Sequence, residues 1–222
     1  MFVGHYGVGF CARSAEPRLP LWALFIAVAA LDFLWSPLVL LNIEKVLIIP
    51  PPLKLDLYYM PYSHSLAAAA IWTVLAALAI RIFLRSASWK LTAIVAGAVL
   101  SHWFLDLVVH TQDLPLYDNA AKVGLGLWNF PLPAFFVEAA LFCGGVALYL
   151  SSGVGTRRSR TAILMCVMLV VHATLVFGPS PATGKMAAAL ALALNGGFAV
   201  GAVIIERPAR TAVTSTATGE SV

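Results

Sequence analysis

Six stretches of this chain are apolar for about as long as a helix needs to cross a lipid bilayer: Leu21–Leu41, Ser65–Leu84, Leu91–His110, Pro133–Leu150, Thr161–Phe177 and Met186–Ile205. A spanning helix takes about 20 predominantly apolar residues. None of the six alternates with period two, and Ala and Leu dominate, which excludes the strands of a membrane barrel. Charged residues make up 11% of the chain and hydrophobic ones 61%; mean hydropathy is +0.90. A soluble domain carries about 25% charged residues, so this chain lacks the charge to cover a water-facing surface. The pattern predicts an all-α fold, a polytopic transmembrane bundle of about six spans. Residues 1–206 form one domain, and the Thr- and Ser-rich tail 207–222, without periodicity, is expected to be disordered and cytoplasmic. The first run is longer than a cleavable signal peptide and has no small-residue cleavage site after it.

Lys and Arg divide unevenly between the two sides of such a bundle. Ten fall in the N-terminal segment, the second–third and fourth–fifth connections and the tail. Four (Lys45, Lys54, Lys122, Lys185) fall on the other side. For a multi-pass protein of the cell's inner (plasma) membrane, this bias predicts both termini to be cytoplasmic. The net charge of +4 is thereby explained by topology, and no nucleic-acid partner is implied. The long connections 42–63 and 111–132 then lie outside. The first contains Pro50-Pro51-Pro52, which cannot be helical, and Tyr58, Tyr59 and Tyr62, suited to the headgroup level. In the second, the apolar stretch 123–133 either dips into the membrane or lies on it. Cys11, Cys143 and Cys166 have no metal or disulfide spacing and are expected to be small buried residues.

Residues 1–12 are apolar but too short to span, covering about 18 Å as a helix. They form either a half-helix entering the bilayer, with a turn at Pro17 and Pro20, or a segment lying flat on its surface. Breaks in other spans are signalled at Pro37 and at Asn195-Gly196-Gly197.

An ionisable side chain inside a bilayer costs about 2.5–3.5 kcal/mol on insertion scales and is a functional signal by default. This chain has Asp32, His64, His102, Asp106, His110, Glu138 and His172 in or beside its apolar runs. His102, Asp106 and His110 recur every four residues and share one helix face. An imidazole and a carboxylate one turn apart can both ligate a divalent metal, or one can orient the other. With the orientation above, these residues fall in the outer half of the bilayer. His5 joins them, near Asp32, only if residues 1–12 enter the membrane. His172 reads as a helix-packing donor.

The series Gly4-His5, Asp32, Tyr62-Ser63-His64-Ser65 and Ser101-His102 with Asp106 four residues on resembles the YdjM-like family of bacterial inner-membrane metal-dependent hydrolases. That family is in turn remotely similar to zinc-dependent phospholipase C. The resemblance spans roughly the first 110 residues. It implies that His5, Asp32, His64, His102 and Asp106 are metal ligands. The family's second carboxylate at the first aspartate is missing from Leu31-Asp32-Phe33-Leu34, as are the His and Arg that precede its T-H-S.

Three functions use these residues. In a membrane hydrolase, a divalent metal, zinc by its His and carboxylate ligands, activates water. Asp106 or Glu138 then serves as general base, and the substrate is a phosphoester, lipid or small molecule. In a transporter, the same residues relay protons or metal ions. In a structural protein they form a polar packing knot. No ionisable residue lies between Arg18 and Asp32, which favours a one-sided pocket over a path through the bilayer.

Overall fold

The computed structural model describes residues 1–154 and 158–207. Arg157 and the tail 208–222 lie outside the described residues. Eight α-helices occur among them: α1 (Val3–Ala15), α2 (Leu21–Val28), α3 (Ala30–Leu40), α4 (Leu66–Phe83), α5 (Trp89–Val109), α6 (Pro131–Ser151), α7 (Arg158–Phe177) and α8 (Gly184–Glu206). Helices α4 to α8 are each long and apolar enough to cross a membrane. Helices α2 and α3, bent by 57°, pass the same test as a pair and make a sixth if they form one broken span. Hydroxyl caps start three of these helices: Ser65 accepts from the Ala68 amide, Ser88 from Leu91 and Thr183 from Met186. Each satisfies an amide that the first helical turn leaves unpaired.

Helix α1 enters the bundle, as the half-helix reading requires. Val3 to Tyr6, Gly7, Gly9 and Phe10 are all buried. It packs chiefly along α6, and also against α2 and α5. Glycine makes the closest approach possible: a Cβ on Gly145 of α6 would sit 2.6 Å from the Gly7 carbonyl carbon. Tyr6, Phe10, Phe25, Phe142 and Tyr149 interlock in edge-on and tilted pairs with ring centroids 4.7–5.9 Å apart. This aromatic core fills the bundle on one side of the polar cluster.

The first apolar run breaks at Ala29, whose backbone (φ −102°, ψ 13°) leaves the helical region. The sequence signalled breaks at Pro37 and at Asn195-Gly196-Gly197 instead; both positions lie within continuous helices. Hydrogen bonding carries on past Pro37, whose carbonyl accepts from Leu41 at 2.9 Å. Asn195 faces inward, accepting from the Tyr6 hydroxyl at 2.5 Å. The three cysteines are exposed rather than buried. The surface of a membrane bundle faces lipid, so a thiol gains little by moving inside.

The 42–63 connection folds into an antiparallel hairpin, β1 (Lys45–Ile48) with β2 (Leu55–Tyr59), which the sequence reading did not anticipate. Lys54, beyond its proline-rich tip, donates from Nζ to the carbonyls of Leu175, Val176 and Gly178 at 2.6–2.8 Å. It thereby closes the C-terminus of α7, where carbonyls lack intrahelical partners. Partial burial lowers the Lys54 ammonium pKa. The 123–133 stretch folds back on the end of α5: Leu125 and Gly126 donate to the carbonyls of Leu107 and His110 at 2.8 and 2.7 Å. A 3-10 turn, Leu127–Asn129, follows.

The opposite end of the bundle is held by ion pairs. Arg13 meets Glu206 at 2.6 Å, and Glu206 also accepts from the Leu21 amide at 2.8 Å. Arg18 pairs with Glu16 at 2.7 Å and holds the Glu16 carboxyl down at about 2.

Candidate metal centre

Helix α5 places His102 and Asp106 one turn apart on its buried face, and His110 follows as the C-cap residue. Helix α1 brings His5, α3 brings Asp32 in its first turn, and the turn before α4 brings His64. Asp106 is the hub. Its Oδ1 lies 3.1 Å from His5 Nε2 and accepts from the Met1 amino group. Its Oδ2 lies 3.1 Å from His102 Nε2 and 3.6 Å from both His64 Nε2 and His110 Nε2. Asp32 Oδ1 lies 3.6 Å from His64 Nε2 and 3.8 Å from His102 Nε2. Two overlapping triads, His5–His102–Asp106 and Asp32–His64–His102, have ligand atoms within 4.8 Å of one another. The His5 and His102 rings stack at 3.8 Å.

Three of these imidazoles are fixed through their other nitrogen. His102 Nδ1 is 2.7 Å from the Val28 carbonyl, which can only accept. In an unbroken helix the Asp32 amide would take that carbonyl; the break at Ala29 turns it to His102. His110 Nδ1 is 3.0 Å from the Asp113 carboxylate. His64 Nδ1 is 2.7 Å from Ser63 Oγ. Each contact leaves an Nε2 lone pair directed at Asp106 or Asp32. Acceptor facing acceptor at 3.1–3.8 Å repels unless a metal ion, or a second proton on the ring, lies between. His102 Nε2 and His5 Nδ1 are buried without a hydrogen-bond partner. The donor set therefore fits a divalent metal with imidazole and carboxylate ligands. The carbonyl and carboxylate partners at Nδ1 are those that metal-binding histidines ordinarily have.

All the polar residues expected at this level except Glu138 and His172 meet in the cluster. Glu138 is engaged elsewhere: its Oε2 accepts from the amides of Phe2 and Gly4 at 2.5 and 3.5 Å. It caps the start of α1, where unpaired amides and the positive end of the helix dipole favour a carboxylate. His172 is buried and stacks on Phe135 at 5.0 Å, outside both triads. The sequence reading missed Ser63 and Asp113 as partners of the histidines and Glu44 as the partner of Ser63. Only Asp113, three residues after His110, carried a local spacing signal.

No family model, curated protein or solved structure matches this chain. Fold and site define its class: a multi-pass helical membrane protein with a buried His/Asp cluster that can bind a metal ion.

Proposed function

We propose that the chain is a membrane-embedded, metal-dependent hydrolase of the YdjM-like kind, with its site opening at the outer leaflet. The observation that supports this best is the convergence of His64, His102 and His110, each tethered through Nδ1, with His5 on the carboxylates of Asp106 and Asp32. Zinc suits this donor set. Such a metal supplies an acidified water and polarises an ester or phosphoester oxygen. Asp106 already faces four imidazoles and the Met1 amino group, so it holds the site together. Asp32 has a side chain 22% exposed, against 5% or less for the side chains around it. It is the carboxylate that meets incoming substrate and can take the proton of the attacking water.

The aromatic core beneath the cluster favours a closed pocket over a transport path. The Lys/Arg bias supports a site on the outer side. The test is hydrolysis of phosphoester lipids and water-soluble phosphoesters by the purified protein in liposomes, before and after chelation. Chelator-sensitive release restored by zinc is expected, and Asp32→Asn abolishes it. Zinc crossing the liposome membrane without any hydrolysis would replace this reading with transport.

A further inference from the structure

Glu44 follows the first span in an irregular segment, yet it is 1% exposed. Its Oε1 accepts from the backbone amides of Tyr62 and Ser63 at 2.8 and 2.9 Å. Its Oε2 is 2.5 Å from Ser63 Oγ, which in turn is 2.7 Å from His64 Nδ1. The backbone of this turn is pinned from both sides. Trp103 Nε1 donates to the His64 carbonyl at 3.0 Å and Trp72 Nε1 to the Tyr62 carbonyl at 2.8 Å.

From this chain of contacts we infer that Glu44 is a positioning residue that sets the tautomer of His64 through Ser63. This rests on the metal-site reading above. A carboxylate cannot donate, so the one hydroxyl hydrogen of Ser63 goes to Glu44. Ser63 Oγ must then accept from His64 Nδ1–H. That leaves the Nε2 lone pair free, 3.6 Å from both Asp32 and Asp106. The direction of the whole chain is fixed by one atom of Glu44.

Glu44→Gln reverses it without changing its shape. The two amides of Tyr62 and Ser63 need an oxygen, so the carboxamide must turn its NH2 toward Ser63 Oγ. Ser63 then donates to His64 Nδ1, and the hydrogen of the ring moves to Nε2, where no metal can bind. A nitrogen-blocked ligand is more damaging than an untethered one. The double variant Glu44→Gln/Ser63→Ala removes the reversed donor and frees His64 to choose its tautomer again.

The test uses the full-length protein in detergent with Zn2+ as probe. Zinc affinity should fall about 10–100-fold in Glu44→Gln, the range for partners behind a metal ligand, and should recover much of that loss in the double variant. A structural role alone would make the double variant as weak as Glu44→Gln or weaker, and that result overturns the inference, as does wild-type affinity in Glu44→Gln. 15N spectra of the histidine-labelled, metal-free protein at neutral pH separate this from the parent reading. If the wild type binds no zinc, the metal reading fails, while His64 should still carry Nδ1–H in the wild type and Nε2–H in Glu44→Gln. The same tautomer in both overturns the inference by itself.

Discussion

Gly144 and Gly145 are neighbours in α6, and alanine at the two positions should behave in opposite ways. A Cβ at Gly144 meets nothing within 4 Å. A Cβ at Gly145 falls 2.6 Å from the Gly7 carbonyl carbon and 2.7 Å from its Cα. The first of these is about 0.8 Å inside the 3.4 Å where ordinary contact begins. The obstacle is backbone, so no side-chain rotation relieves it; α1 must move off α6. Overpacking of this kind costs about 1–3 kcal/mol. His5 is carried on α1 two residues from the contact, 3.1 Å from Asp106. Metal–ligand distances tolerate about 0.2 Å, so a shift of that size removes His5 from any shared coordination. Gly145→Ala should therefore lower both thermal stability and zinc affinity, although position 145 contacts none of the ligands. Gly144→Ala should change neither. Thermal unfolding and zinc titration of both variants in the same detergent decide it. Equal behaviour of the two would show that α1 does not pack on α6 through Gly7.

Other expectations follow from the same geometry. His102→Ala should lose metal, because that imidazole belongs to both triads; His172→Ala should keep it, because its ring stacks on Phe135 away from the cluster, and bound zinc per protein reads both. The Glu16 carboxyl should titrate at about 2 and return toward the ordinary glutamate range, about 4.3, in Arg18→Gln, as 13C spectra can show. Its folded pKa is depressed, so the stabilisation it gives is present above about pH 4.3 and is lost as pH falls through about 2. Lys54→Met leaves three carbonyls at the end of α7 without their donor and should destabilise by about 1–3 kcal/mol, visible as faster proteolysis of the hairpin.

The spans were legible because lipid demands long apolar runs, and nothing else in the sequence imitates them. The His102–Asp106–His110 stripe was legible because helical spacing is local. His5 was legible only conditionally, since its position depends on how α1 packs, and the glycines that allow this packing do not name their partner helix. The break at Ala29 carried no proline or glycine. Its consequence for the site is the Val28 carbonyl, which turns from its own helix to His102. Glu44 lies 19 residues from Ser63 and reaches it through a hairpin whose pairing the proline-rich connection concealed. Glu138 looked catalytic for the physical reason that makes it a cap: a buried carboxylate needs donors, and the sequence does not distinguish a metal from the amides of a helix start. The cysteines were misplaced by a rule for water-soluble cores, which does not hold for a surface that faces lipid.

X-ray absorption at the zinc edge of the purified, zinc-loaded full-length protein tests the metal centre most directly. A centre built on this cluster gives stoichiometric zinc with imidazole and carboxylate ligands near 2.0–2.2 Å and no sulfur, and the imidazole count falls in His102→Ala. Substoichiometric zinc, a sulfur shell from the exposed cysteines, or a spectrum unchanged by His102→Ala would contradict it.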